Sequence, residues 1–471
     1  MDRRLSLVVL AAGEGKRFRS ELPKPLHRAA GRPLLWHVLA AAAPLGPDPA
    51  VVVVGRGAEQ VGEAIDGFGL GSGLGEVRTA VQAEQLGTAH AVACALPDLP
   101  ANGEVLVLYG DTPLLTTATL AGLVEAHRAA GAAMTLLTCQ ATDPTGYGRI
   151  VRDGAGQISG IVEQRDASPE QLAIGEVNAG VYVFERAALD LLGKVQPDNR
   201  QGEHYLPDLL PLVRAAGGTV ASAGADEAET AGVNDRAQLA RAAAVLRRRV
   251  LDGLMADGVT VLDPAVTYVD VGVAVGQDTT LLPMTFLEEG TTVGRGCTIG
   301  PNVRLTRCAV ADGANITQAV AVDARIGERA LVGPFAYLRP GADLGPGSKV
   351  GTYVEVKGSR IGPGSKVPHL SYVGDADIGE GVNVGAGVIF VNYDGRAKHR
   401  TKVGDNAFIG SDTMLVAPLT IGAGAQTGAG STITKDVPDG ALGIERAEQR
   451  NIEGWVARRR EAPREDRGKP D

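Results

Sequence analysis

The chain has 471 residues, 44% of them hydrophobic, which is enough for two domains with substantial cores. Aromatic residues make up only 4% while glycines number 64, a balance that favours frequent tight turns over one large aromatic core. Lysine and arginine total 46 against 55 acidic residues, a net charge of -9 that argues against a general nucleic-acid or membrane-surface binder and leaves local phosphate sites open.

The opening, MDRRLSLVVLAAGEG, places basic residues before an apolar stretch in the manner of a signal peptide. The run is too short and enters a Gly-rich turn, so a buried first strand is predicted. Up to residue 232, apolar runs at 5–12, 50–54, 104–110, 133–139 and 179–184 read as strands, and 34–43 and 120–130 read as helices. This alternation predicts an α/β domain with a mostly parallel, Rossmann-like sheet covered on both faces, binding ligands beyond the strands' carboxyl ends. Residues 234–258 predict a connecting α-helix with Leu239, Leu246, Val250 and Leu254 on one face. No apolar segment approaches the roughly 20 residues that cross a bilayer. The four cysteines, Cys94, Cys139, Cys297 and Cys308, form no CxxC pair and read as reduced thiols of a cytosolic protein.

Beyond about residue 262 the period becomes six. Val275, Leu281, Leu287, Val293, Ile299 and Leu305 begin the series. Ile326, Val332, Leu338, Leu344 and Val350 continue it, then Ile361, Val367 and Val373, and later Ile409, Leu415, Ile421 and Ile433. One inward aliphatic per short strand, followed by a turn, is the mark of a parallel β-helix of hexapeptide repeats. The predicted organisation is therefore 1–232, a linker helix at 233–258, a β-helix at 259–455 and a polar, disordered tail at 456–471.

Three N-terminal stretches carry chemistry. In LAAGEGKRFRSELPKPLHR, Gly13 and Gly15 would turn backbone N–H groups toward an anion, with Arg17 and Lys24 facing phosphates; a glycine turn with solvated charges is the plainer alternative. Asp111, just past a purely apolar strand in YGDTPLL, either caps the next helix or holds a divalent ion, and Asn234 either caps the linker helix or joins it. Together with QAEQLGTAHA (82–91), PTGYGRIV (144–151), GIVEQRDA (160–167), NAGVYVF (178–184) and GVNDR (232–236), these motifs resemble, in order, the sugar-nucleotide pyrophosphorylases. They resemble most closely the uridylyltransferase half of the bifunctional glucosamine-1-phosphate acetyltransferase/N-acetylglucosamine-1-phosphate uridylyltransferases.

That resemblance implies a residue-by-residue site. Leu10, Ala11, Ala12, Gly13, Gln82, Gly87 and Thr88 would hold uracil and ribose, with Tyr109 and Gly110 beside them. Arg17 and Lys24 would bind the triphosphate of UTP and carry catalysis. Gly148, Glu163 and Asn178 would hold the acetylated sugar, and Asp111 and Asn234 would coordinate Mg2+. Lys16 departs from the threonine usual there, and Arg200 and Pro207 stand where smaller or hydroxyl residues are common.

In the second half the chemistry must come from residues that break the repeat, since the β-helix alone serves equally as inert scaffold. Of seven histidines, His27 and His90 sit in the nucleotide motifs, His37 and His127 on helices, His204 in a loop, and His399 among cations. His369 sits in a β-helix turn beside Tyr372 and downstream of Lys357, and an imidazole suits removal of a proton from an amine. From Arg339 to Ser411 the sequence resembles the acetyltransferase half of the same family. The resemblance implies a left-handed β-helix with His369 as general base assisted by Glu355. Arg339, Lys357, Tyr372, Asn383 and Lys398 would bind glucosamine 1-phosphate. Ala386, Asn392, Tyr393, Ser411, Ala429 and Arg446 would contact acetyl-CoA. The loop at 390–402 interrupts the six-residue step as an insertion reaching a neighbouring subunit would, and a homotrimer is expected. Acetyl transfer would be direct, without metal or acyl-enzyme, and would precede uridylyl transfer. Two alternatives remain at this point: a single-activity nucleotidylyltransferase with a structural β-helix, and a catalytically inactive regulatory subunit.

Overall fold

The computed structural model describes residues 4–70 and 73–461 and divides the chain into two compact units. The first runs to Leu254 and includes Tyr268–Gly272; the second comprises Met255–Thr267 and the chain from Val273 onward.

The first unit is built on a mixed sheet. Its strands are β1 (Leu5–Leu10), β2 (Ala50–Val54), β3 (Val77–Val81), β4 (Glu104–Tyr109), β5 (Met134–Gln140), β6 (Arg149–Arg152), β7 (Ile158–Val162), β8 (Glu176–Glu185) and β9 (Val220–Gly224). The order β9-β5-β8-β4-β1-β2-β3 puts β1 between parallel neighbours β4 and β2. The sheet is mostly parallel, as expected, with one exception: β8 runs antiparallel to both β4 and β5 and leads off into the antiparallel β6–β7 pair. Strand β8 is buried along eight consecutive positions, and a strand covered on both faces carries no pattern that reveals its direction. Alternate residues of β1 feed two cores: Leu7 and Val9 one, Val8 and Leu10 the other. The first is covered by α1 (Leu34–Ala42) and α3 (Thr117–Ala130), the second by α2 (Thr88–Ala95).

Helix α4 (Arg236–Ala256) is not a free connector: Ala242 and Leu246 join Phe18, Leu34, Leu114 and Val233 in a third apolar cluster. Leu251, rather than the predicted Val250, is the buried residue of its next turn.

The second unit is three sheets of short parallel strands, the arrangement of a left-handed β-helix of hexapeptide repeats. One inward column stacks Leu281, Ile299, Ile316, Val332, Val350 and Val367 in register. A second stacks Leu287, Leu305, Ala321, Leu338, Val356 and Val373. A third runs through Val293, Val310, Ile326, Leu344, Ile361, Ile378, Val403 and Ile421. On the third sheet the outward positions alternate in charge, Arg325, Asp343, Arg360, Asp377 and Lys402, so opposite signs face each other across neighbouring strands. Trp455–Glu461 forms a short helix where composition predicted disorder from 456 onward; the remainder of that predicted tail, 462–471, lies outside the described residues.

Two candidate active sites

In the first unit, the carboxyl end of β1 opens into a cleft. Leu10, Ala11, Ala12 and Gly13 form one wall, Gln82, Gly87 and Thr88 another, and Tyr109, Gly110, Asp111 and Lys24 the floor. A second hollow, holding Gly148, Glu163, Asn178 and Asn234, shares Tyr109 and Asp111 with the first. Apart from Arg17, the predicted nucleotide and sugar residues therefore line one groove whose two halves meet at Asp111. Arg17 does not line it: the side chain is exposed on the turn Lys16–Phe18. Lys16 pairs with Glu14 at 2.5 Å and is likewise exposed. Arg200 is exposed, and Pro207 is buried in the turn Leu206–Asp208, so these departures also fall outside the groove.

Local structure explains why these side chains are free for chemistry. Helix α3 is capped by Thr116, which accepts from Thr119 N, so Asp111 is no cap. The start of α4 is capped by Asp235, which accepts from Gln238 N at 2.7 Å, leaving the Asn234 carboxamide available. Lys24 then donates to Asp111 Oδ2 and, at 2.9 Å, to Asn234 Oδ1. Of the two glycines expected to form a cradle, Gly15 is the demanding one. Its φ is +60°, and a Cβ there would approach Lys24 Cβ to 2.8 Å, whereas Gly13 has open space around it. Gly15 thus serves the site through Lys24.

The wall formed by Gln82, Gly87 and Thr88 is tied to a strap at 199–206. His204 N donates to Leu86 O at 2.7 Å, Ala89 N to His204 O at 2.9 Å, and Leu206 N to Thr88 Oγ1 at 2.9 Å. Gly87 has φ +114° and backs onto the His204 backbone, which a Cβ would strike. In the second hollow, Asn178 Nδ2 donates to the Tyr182 hydroxyl at 2.6 Å while Asn178 Oδ1 accepts from Gly180 N at 3.1 Å. Burial pushes the Glu163 carboxyl above its ordinary range, with Asp208 and Asp166 adding repulsion against a partial offset from Arg149. Sequence reasoning did not single out Gln85, which donates to Ala12 O at 2.6 Å, or Glu203; both line the cleft. Gln85 sits inside QAEQLGTAHA, so its position in that motif was the signal; Glu203 carried none.

In the second unit, His369 ends the strand Lys366–His369, paired with Thr352 one coil below. It is exposed, and its ring has no hydrogen-bond partner among the described residues. The other histidines are engaged structurally: His37 with Ala29 O at 2.8 Å, His127 with Thr135 Oγ1 at 2.9 Å, His204 with Val195 O at 2.8 Å and His399 with Asp394 at 2.7 Å. His27 packs on Phe18 and His90 meets Gln82. Above His369 the same corner repeats coil by coil. Gly387 N donates to His369 O at 3.3 Å, Asp412 N to Ala386 O at 2.7 Å, and Gly430 N to Ser411 O at 2.8 Å. His369, Ala386, Ser411 and Ala429 therefore form a straight ladder, which Arg446 joins by donating to Ala429 O at 3.0 Å.

The predicted cations Arg339 and Lys357 are held by carboxylates of the same unit. Arg339 donates to Glu355 Oε1 at 2.8 Å, so Glu355 engages a cation rather than the His369 ring. Lys357 Nζ donates to both Asp375 oxygens, at 2.8 and 2.9 Å, and Asn392 Nδ2 donates to Asp375 Oδ2 at 2.6 Å. Although burial pushes the other way, Lys357 and Asn392 hold the Asp375 carboxyl below its ordinary range. Proximity to the Lys357 ammonium pulls Lys398 down. Tyr372 lies in register with Glu355, and Asn383 with Lys366. The loop between Ile389–Val391 and Thr401–Val403 presents an exposed Tyr393, bridged to Lys398. Asp375 and Gly374 were missed by sequence reasoning. Any Cβ at Gly374 would lie 2.5 Å from the Tyr372 hydroxyl and 2.6 Å from Asn392 Nδ2.

A MobA-like NTP transferase domain matches residues 7–196, and the bacterial transferase hexapeptide (six repeats) matches residues 400–435. The bifunctional protein GlmU of Streptomyces avermitilis is 54% identical over 463 residues, covering 97% of this chain and 95% of its own. The GlmU proteins of Kineococcus radiotolerans and Thermobifida fusca are 54% and 52% identical, covering 97% and 98% of this chain and 92% and 95% of theirs. With a groove at the carboxyl end of β1 in one unit, a histidine-headed ladder in the other and likeness across 97% of its length, the chain belongs to the bifunctional GlmU family of transferases.

Proposed function

We propose that the second unit moves the acetyl group of acetyl-CoA to glucosamine 1-phosphate, and that the first unit moves the uridylyl group of UTP to the resulting N-acetylglucosamine 1-phosphate, releasing pyrophosphate. The convergence of Asp111 and Asn234 on one cation carries the nucleotidyl half. The two offer hard oxygen atoms, and both already accept from the Lys24 ammonium, so the donor set fits Mg2+. When bound, that ion supplies charge neutralisation at the phosphates. Lys24 provides a second cation at the same point, and Glu163 and Asn178 orient the sugar so that its phosphate oxygen meets the α-phosphorus in line. Arg17, exposed on the turn Lys16–Phe18, is left to the outer phosphates.

In the second unit, Arg339, Lys357 and Lys398 receive the sugar phosphate, which places its amine toward His369. A ring nitrogen of His369 takes the amine proton as the nitrogen attacks the thioester carbon and CoA leaves. Ala386, Ser411 and Ala429 present small side chains along the ladder, which suits the extended pantetheine arm, and Arg446 stands at the far end. Asn392 and Tyr393 flank the thioester end, and Asn383 the sugar. Three copies would assemble along the β-helix, a reading supported by the exposed, stacked Phe335 and Tyr353 rings at 5.2 Å and the exposed Leu370 in the same corner. No helix among the described residues is long and apolar enough to cross a membrane, and the cytoplasm is the compartment we propose. The test is release of free CoA from acetyl-CoA and glucosamine 1-phosphate, and of pyrophosphate from UTP and N-acetylglucosamine 1-phosphate with Mg2+. A protein that releases pyrophosphate but never CoA would be a nucleotidylyltransferase on a structural β-helix.

A further inference from the structure

Gln82 is 5% exposed and forms part of the cleft wall. Its Nε2 lies 3.0 Å from Gly87 O and 3.2 Å from His90 Nδ1. The Gly87 carbonyl can only accept, so the amide nitrogen, not the oxygen, must face it. The second amide hydrogen then points at His90 Nδ1, which must offer a lone pair. The His90 proton is thereby placed on Nε2, whose neighbour is Cys94 Sγ at 3.8 Å. With both amide hydrogens committed, Oε1 is the polar atom the Gln82 side chain has left to offer. One helix supplies both anchors: Gly87 precedes Thr88–Ala95, and His90 follows within its first turn.

We propose that His90 is a positioning residue which, with the Gly87 carbonyl, fixes Gln82 as a hydrogen-bond acceptor and so makes the base subsite select a pyrimidine with an imide N–H over an aminopyrimidine. This rests on the nucleotidyl-transfer reading of the groove and deepens it. Uracil presents an N–H between two carbonyls on its pairing edge, and an acceptor oxygen satisfies it. Cytosine presents a lone pair at the same ring atom, which faces the Gln82 oxygen unfavourably, and a buried polar site left mismatched rejects its ligand. Thymine has the same imide edge, so this contact does not separate UTP from dTTP.

The test compares kcat/KM for UTP and CTP in the wild-type enzyme, His90→Leu and His90→Asn. The asparagine carbonyl can accept from Gln82 in place of Nδ1; leucine cannot. The expected result is a UTP/CTP ratio about tenfold lower in H90L, equivalent to one hydrogen bond, carried by KM for UTP, and restored in H90N. CoA release from the same preparations should be unchanged in all three, and H90A replaces H90L if leucine does not fold. UTP methylated at the imide nitrogen should be a poor substrate for the wild type. An unchanged ratio in H90L, or methylated UTP used as well as UTP, overturns the inference. A wild type that releases pyrophosphate from neither nucleotide overturns the underlying reading instead.

Discussion

Asp375 sits at a backbone φ of +50° and accepts three hydrogen bonds, two from Lys357 and one from Asn392, joining the proposed sugar-phosphate and acetyl-CoA residues through one carboxylate. Asp375→Ala frees the Lys357 ammonium to wander toward Lys398 and should raise KM for glucosamine 1-phosphate by about tenfold or more, since hydrogen bonds to charged groups are worth roughly 1.5–3 kcal/mol. Pyrophosphate release from UTP in the same variant should be unaffected. Glu163 is the opposite case, a carboxyl held above its ordinary value by burial. Above that raised value the folded protein carries a charge it disfavours, and below the ordinary carboxylate range both folded and unfolded states are protonated and the penalty vanishes. Glu163→Gln should therefore melt higher than wild type at pH 7, by an amount that shrinks toward pH 4, while losing affinity for N-acetylglucosamine 1-phosphate. A thermal-melt series across that range checks the sign. At this scale the sequence alone left Asp111 and Asn234 open as helix caps. Only the placement of Thr116 and Asp235 at those caps resolves them, because capping depends on which residue the helix begins after. Asp375 escaped notice because an aspartate in a β-helix turn looks like many others in the chain; what distinguishes it is the two partners, Lys357 and Asn392, that folding brings to it.

Among elements, the turn at Gly87 shows how backbone conformation supports the cleft. Gly87→Ala requires an L-residue at φ +114° against the His204 backbone, so the strap at 199–206 must move. The expected effect is a cost of about 1–3 kcal/mol to the first unit and a large loss of UTP affinity, read by melting and by KM, with acetyl transfer preserved. In the second unit, Leu338 is fully buried in its inward column between Ala321 and Val356. Leu338→Ala should cost about 2–5 kcal/mol by the cavity it leaves, just below the coil that carries Glu355 and Lys357. The β-helix was legible far ahead of the first unit because each coil repeats the same demand, one aliphatic inward every six residues. The sheet of the first unit was legible in its main strands and their mostly parallel run, but not in the reversal of β8. Strand β8 satisfies burial on both faces as a parallel strand does, and the short, partly exposed strands β3, β6, β7 and β9 show little periodicity.

For the whole molecule, the account rests on two chemistries in two separately folded units of one chain. The exposed aromatic pair Phe335–Tyr353 with Leu370 predicts self-association, and light scattering should give three times the chain mass. Charged substitution at Tyr353 should lower that mass and acetyl transfer together, while uridylyl transfer survives. The most direct measurement supplies glucosamine 1-phosphate, acetyl-CoA, UTP and Mg2+ to wild type, Asp111→Ala and His369→Ala and follows every product by mass. The account predicts UDP-N-acetylglucosamine from the wild type, and CoA with N-acetylglucosamine 1-phosphate but no pyrophosphate from Asp111→Ala. It predicts neither product from His369→Ala until N-acetylglucosamine 1-phosphate is added, whereupon pyrophosphate appears. A folded variant of either kind that loses both activities would contradict it.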